Sequence, residues 1–242
     1  MREHVPEATR MHYVTTYGGA APNVVPDFTE VYHYVRHPDA AVVRELFERL
    51  VDTAEGAALG TETQMEYEII NGVYNLLPNV TLAQVIHANL TTVGGVEYTD
   101  EEMRFAEVIR ESLPEDARPM SAASEVKPFA APTGARRGGG STDVGDVSWA
   151  VPTAGLRAAT WVPGTSSHSW QAVAAGGTSI GTKGMLVAAK TIAMSAVDLF
   201  MTPDLIRQAR AEFDEKRGPN YQHISLVGDR PPPLDYRANP GN

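Results

Sequence analysis

Two carboxylates and one imidazole stand where glycine, serine and threonine crowd the sequence. Asp143 and Asp146 lie in Ser141-Thr-Asp-Val-Gly-Asp-Val-Ser-Trp149, and His168 lies in Gly164-Thr-Ser-Ser-His-Ser-Trp-Gln171. Both stretches read as polar loops, and loops held between buried segments are where active sites tend to sit. Carboxylate plus imidazole is the ligand chemistry of hydrolytic zinc or manganese. One histidine and one or two aspartates nevertheless fall short of a complete metal site. Each residue also has a plain structural role open to it. Asp beside Gly closes Asx-turns, and a loop histidine can simply bond to backbone. Asp143 reads as site-proximal and Asp146 as structural.

The elements that must position these residues follow from periodicity. Arg10 to Tyr17 is rich in β-formers and Phe28 to Arg36 alternates, with turn chemistry in Gly18-Gly-Ala-Ala-Pro-Asn-Val-Val-Pro26 between them. That predicts an antiparallel pair. Val43, Leu46, Phe47, Leu50 and Val51 form a helical stripe within Ala40 to Leu59, which should pack on the sheet. Gln64 to Ile70 alternates again and predicts a third strand. This sheet-plus-helix unit ends near Asn75, giving domains of residues 1–74 and 75–242.

Beyond it, Thr81 is placed to cap a helix over Leu82 to Thr92. Thr99 with Glu102 forms a capping box opening a helix to Leu113. Pro114 to Gly140 reads as a long irregular connection. Val147 to Val151 and Leu156 to Val162 read as buried strands, and Ser179 to Phe200 as a long Ala-rich helix. Thr202, Pro203 and Gly218 punctuate a last helix, and the Pro231-Pro-Pro tail should be extended.

Composition removes several function classes. With 20 basic and 30 acidic side chains the net charge is −10, which argues against nucleic acid, and Arg136-Arg137 is too isolated to change that. The absence of cysteine excludes disulfides, Cys-ligated zinc and thiol catalysis. The longest apolar stretch, Gly184 to Met201, is interrupted by Lys190, Thr191, Ser195 and Asp198. No secretory signal pattern is visible, so a soluble cytoplasmic protein with no membrane partner is expected.

Taken in order, further motifs form a recognisable series. They are Gly18-Gly-Ala-Ala-Pro-Asn-Val-Val-Pro-Asp27, Tyr34-Val-Arg-His-Pro38, Tyr74-Asn-Leu-Leu-Pro-Asn79, the Asp143 motif, His168-Ser-Trp-Gln171 and Gly176-Gly-Thr-Ser-Ile-Gly181. The series resembles the C-terminal half of the aminobenzoyl-glutamate utilization protein B-like amidohydrolases, from Arg2 to about Pro232. These belong to the metal-dependent aminoacylase, carboxypeptidase and amidohydrolase superfamily. The resemblance implies a mixed α/β fold. Residues 1–74 would be part of a lid or dimerisation domain with an antiparallel sheet plus helix. Residues 75–242 would be the C-terminal part of a zinc-peptidase-like catalytic domain.

The implied activity is hydrolysis of an N-acyl amino acid or p-aminobenzoyl-glutamate-like amide by a water bound to Zn²⁺ or Mn²⁺. His168 matches the family's C-terminal metal-binding histidine, and Asp143 an acidic residue in a loop beside the metals. Asn23 corresponds to a lid asparagine that helps hold substrate, and Arg36 to a lid arginine that can pair with a substrate carboxylate. Gly176 and Gly177 would offer backbone N–H groups to an anion, together with the helix start near Ser179.

The departures shape the expectation further. The family's His-x-Asp ligand motif, its bridging aspartate and its paired glutamates, one of them the general base, have no counterpart here. Thr182 also stands where a histidine is expected. The chain therefore reads as a fragment, inactive alone, that homodimerises through its lid or joins a missing N-terminal half. The runner-up reading is a non-catalytic dimerisation or partner-binding fragment of a split or truncated gene.

Overall fold

The computed structural model describes residues 1–131, 140–231 and 233–234. Arg136-Arg137 and parts of the Pro114–Gly140 connection and of the proline tail lie outside the described residues. The fold is mixed α/β, with a two-stranded antiparallel sheet and seven α-helices among the described residues. It divides into two compact units. One comprises Met1–Leu76, Thr133–Ala150 and Tyr221–Asn242; the other comprises Leu77–Pro132 and Val151–Asn220.

The first unit is built on β1 (Arg10–Tyr17) and β2 (Glu30–Arg36), paired with Met11 opposite Val35 and Tyr13 opposite His33. The register slips between Thr15 and Tyr17, a β-bulge. Helix α1 (Ala40–Thr61) packs on β2. It starts where the Asp39 carboxylate accepts the Ala41 N–H at 2.8 Å, and it ends where Glu62 turns left-handed at φ 55°. Leu46 in the expected stripe is 1% exposed, and Phe47 meets Tyr67 edge-on at 5.7 Å.

The predicted third strand does not form, since Gln64 to Ile70 belongs to no ladder. Alternation supplies a face, but a strand also needs a neighbour for its backbone, and β1 and β2 pair with each other. The Asp143 motif differs too. In place of a loop and the strand Val147 to Val151, it opens helix α4 (Val144–Ala150). The Asp143 carbonyl accepts the amides of Asp146 at 3.0 Å and Val147 at 3.5 Å. Gly145 is what permits the packing here, because a Cβ would overlap the Tyr74 carbonyl.

The second unit is helical: α2 (Val80–Val93), α3 (Asp100–Arg110), α5 (Trp170–Gly176), α6 (Ser179–Met201) and α7 (Pro203–Arg217). Helix α6 packs against α2, α5 and α7. The core joins Ala106, Ile109, Val162, Ala175 and Ile180, with Tyr98, Phe105, Leu113 and Met120 around it. The Thr99–Glu102 capping box is present as expected. The cap of α2 is not Thr81 but Asn79, whose side-chain oxygen accepts the Leu82 N–H at 3.0 Å. The Thr81 hydroxyl instead reaches Glu212 of α7 at 2.7 Å. Pro203 opens α7 and Gly218 closes it. The segment Leu156 to Val162, expected as a strand, enters no ladder.

Candidate functional site

His168 is exposed on a turn just before α5, at φ 61°. A left-handed backbone costs a non-glycine residue roughly 1–2 kcal/mol, so the surrounding structure imposes it. Ser169 does much of this. Its hydroxyl donates to the Ser166 carbonyl at 2.7 Å and accepts the Ala172 N–H at 3.3 Å, capping α5. Upstream, the Thr165 N–H closes a turn onto the Val162 carbonyl at 3.1 Å. Gln171 adds a bond to the Ser112 hydroxyl at 3.2 Å. His168 thus borders a shallow, open concavity lined by Trp161, Ser169, Trp170, Ala172 and Val173.

Gly176 ends α5 and faces the Trp161 ring, which would lie 3.6 Å from a Cβ there. Gly177 is the C-cap, and its N–H points back to the Val173 carbonyl at 3.4 Å. The start of α6 is capped by Thr178, whose hydroxyl accepts the Ile180 N–H at 3.3 Å. Near it, Lys183 meets Glu102 at 2.5 Å and donates to the Glu97 carbonyl at 2.8 Å. Hydrogen bonds from Lys183, Ser179 and the Thr99 amide hold the Glu102 carboxyl down at about 2. Burial pushes the Tyr98 phenol up to about 12, with the Glu102 charge adding to the shift.

Asp143, Asn23 and Arg36 belong to the first unit, whereas His168, Gly176 and Gly177 belong to the second. Asp143 is exposed in the turn that opens α4, its carboxylate 3.5 Å from the Thr142 hydroxyl. Asn23 lies at an exposed turn in which the Val24 N–H donates to the Ala21 carbonyl at 3.2 Å. Arg36 ends β2, its guanidinium 5.3 Å from the Tyr34 ring centre. His33 faces Tyr13 across the sheet at 5.6 Å, and its burial lowers its pKa. Among the described residues no hydrogen bond or ion pair joins Asn23, Arg36 and Asp143.

Asp146 points inward. It accepts the Tyr74 N–H at 3.1 Å and lies 3.5 Å from the His223 imidazole. The Tyr74 ring lies tilted against His223 at 4.9 Å, and Trp149 stacks on Tyr221 at 4.7 Å. Trp149 also donates to the Asn75 carbonyl at 2.7 Å. His223 has no spacing relation to the motif, and only the folded chain brings it to Asp146.

Among the described residues the donors are too few to complete a zinc or manganese site. No group of three or more His, Asp or Glu side chains gathers to hold an ion among the described residues. His168 can give one ligand.

No family model matches the sequence. Individual relatives do. The chain is 36% identical over 239 residues to a p-aminobenzoyl-glutamate hydrolase subunit from Escherichia coli K12, covering 89% of this chain and 49% of that protein. It is 28% identical to Xaa-Arg dipeptidase of Mus musculus, over 88% of this chain and 42% of the relative. With the human Xaa-Arg dipeptidase the identity is 25%, over 89% and 42%. These similarities support an aminoacylase and peptidase family for the chain, which spans about half the length of the curated relatives it matches.

Proposed function

We propose that this chain supplies the second half of a metal-dependent amidohydrolase acting on p-aminobenzoyl-glutamate or a similar N-acyl amino acid. The observation that carries this reading is the 36% identity to a p-aminobenzoyl-glutamate hydrolase, sustained over 89% of the chain. Residues 1–74 serve as part of the lid and the dimer contact, and residues 75–242 as the C-terminal part of the catalytic domain.

His168 would provide one ligand to a Zn²⁺ or Mn²⁺ ion, and Asp143 is the acidic residue that the resemblance puts in a loop beside the metals. The ion's other ligands come from outside the described residues. When bound, such an ion makes a hydroxide available near neutral pH. Arg36 and Asn23 hold the glutamate-side carboxylate, since a planar guanidinium matches a carboxylate bidentately. Gly176 and Gly177, with the start of α6 at Ser179, serve the anionic group of the substrate. The general base belongs to the other half, as the resemblance implies, and the chain is inactive by itself.

The test is hydrolysis of p-aminobenzoyl-glutamate, followed by release of p-aminobenzoate. The chain would be assayed alone and co-expressed with the remaining half of the Escherichia coli relative, in zinc or manganese. Activity is expected for the pair only. Hydrolysis by the chain alone, or an associated pair that loads metal yet leaves the amide intact, overturns the reading.

A further inference from the structure

The antiparallel pair sets two arginines against each other. Arg10, the first residue of β1, lies directly opposite Arg36, the last residue of β2. Cross-strand partners share one face of a sheet with Cβ atoms roughly 4.5–5.5 Å apart, and like charges so placed repel. Among the described residues neither guanidinium forms an ion pair with a carboxylate of this chain. In a chain of net charge −10, acidic side chains are plentiful, so two cations left together stand out.

Alternation fixes what surrounds them. Arg10, His12 and Val14 of β1 share a face with Tyr32, Tyr34 and Arg36 of β2. The Arg36 guanidinium lies over the Tyr34 ring at 5.3 Å, and the Tyr32 and Tyr34 hydroxyls are 3.5 Å apart. Arg10, His12 and Tyr34 are exposed, and Arg36 is half-buried. The one carboxylate of the two strands, Glu30, stands at the opposite end of β2 and is bonded to the Thr16 hydroxyl. An extended strand puts it roughly 20 Å from Arg36, too far to neutralise the pair.

A bound anion removes the repulsion. Guanidinium forks take carboxylates bidentately, and two forks side by side match a ligand with two carboxylates on a short flexible chain. A single carboxylate would occupy one fork and leave the other charge uncompensated. The glutamate amide proposed above as substrate carries two carboxylates, one beside the scissile nitrogen and one at the end of the side chain.

We propose that Arg10 is a specificity-determining residue. It binds the second carboxylate of a dicarboxylic amino acid whose first is held by Arg36, and so selects glutamate over its neutral amide, glutamine. The repulsion between the two arginines destabilises the free chain and is offset when the ligand binds. This inference rests on Arg36 as the carboxylate holder of the proposed hydrolase.

The test begins with urea unfolding of the full chain alone. Arg10→Gln, at an exposed position, should raise the midpoint at low salt and lose that advantage in about 1 M sodium chloride, which screens the repulsion. Glutarate should raise the wild-type midpoint more than acetate or phosphate does at equal ionic strength, and Arg10→Gln should abolish the difference. The co-expressed hydrolase is then given p-aminobenzoyl-glutamate and p-aminobenzoyl-glutamine. Arg10→Gln should raise KM for the glutamate substrate about 10-fold, with kcat within about 3-fold and the glutamine substrate unaffected. Arg10→Lys, which keeps the charge, should bring KM back to within about 3-fold of wild type. A lower midpoint for Arg10→Gln at low salt overturns the proposal, as does an equal response to glutarate, acetate and phosphate. Hydrolysis whose preference for glutamate survives Arg10→Gln overturns it while leaving the proposed function in place. A pair that does not hydrolyse, beside a chain that keeps its glutarate response, overturns the proposed function and supports the two-arginine site.

Discussion

Asp146 accepts the backbone N–H of Tyr74 at 3.1 Å, a bond spanning 72 positions of the chain. It fastens α4 to the segment at Tyr74, and His223, 3.5 Å from the other carboxylate oxygen, brings the 221–224 segment to the same point. Tyr74 closes the arrangement by donating to the Ile224 carbonyl at 2.9 Å, and Arg44 bonds its hydroxyl. Three stretches far apart in sequence thus meet on one carboxylate. Burial, with Tyr74 and Asp146 nearby, raises the pKa of Tyr221 in this cluster.

Asp146→Ala should therefore destabilise the chain by about 2 kcal/mol, because it leaves a half-buried amide unpaired. Asp143→Ala should change stability by less than about 0.5 kcal/mol, since the side chain is exposed. Urea midpoints at pH 7 separate the two. Equal losses would contradict the division of labour within the motif.

Glu102 makes stability depend on acid. Its folded carboxyl sits at about 2 against an ordinary 4.5. A depressed carboxyl contributes stability that is fully present above about 4.5 and is lost as pH falls toward about 2. Glu212, whose burial alone would raise it, is held at about 2 by Lys216 and the 80–81 amides and adds to the same slope. Glu102→Gln should cost about 2 kcal/mol at pH 7 and flatten the loss between pH 4.5 and 3. Denaturation at several pH values checks this, and an unchanged slope would remove Glu102 from the explanation.

How much of this was legible depended on whether the partner of a pattern lay nearby in the sequence. The β1–β2 pair, α1, α6, α7 and the Thr99–Glu102 box all follow local rules of period and capping, and all form. Gln64 to Ile70 and Leu156 to Val162 have strand-like composition but no ladder, because a strand is completed only by a neighbour. Val147 to Val151 went to helix because the Asp143 carbonyl captures the next amides and Gly145 fits against Tyr74. His223 and Trp161 were invisible as site neighbours, since long-range packing alone brings them to Asp146 and to the His168 concavity.

Arg36→Lys tests the carboxylate role. In the co-expressed hydrolase it should raise KM for p-aminobenzoyl-glutamate about 10-fold with kcat within about 3-fold, because lysine keeps the charge but loses the bidentate fork. Stability should be nearly unchanged, as Arg36 makes a ring contact with Tyr34 and ends a strand. A kcat loss with unchanged KM would place Arg36 elsewhere in the reaction.

His168 offers the sharpest separation of function from stability. Its φ of 61° is strained for any residue with a Cβ. Glycine relieves that strain by about 1 kcal/mol and gives back about half through the freer unfolded chain. His168→Gly should therefore leave the isolated chain slightly more stable, by about 0.5 kcal/mol. In the co-expressed hydrolase the same change removes the proposed ligand and should lower metal content and activity at least 100-fold. His168→Asn, which tolerates the left-handed region, should keep the fold and still lose the metal. The strained backbone then persists because the imidazole is needed there. If His168→Gly instead destabilises the chain by 1 kcal/mol or more while metal content is kept, the histidine is an anchor of the turn and not a ligand.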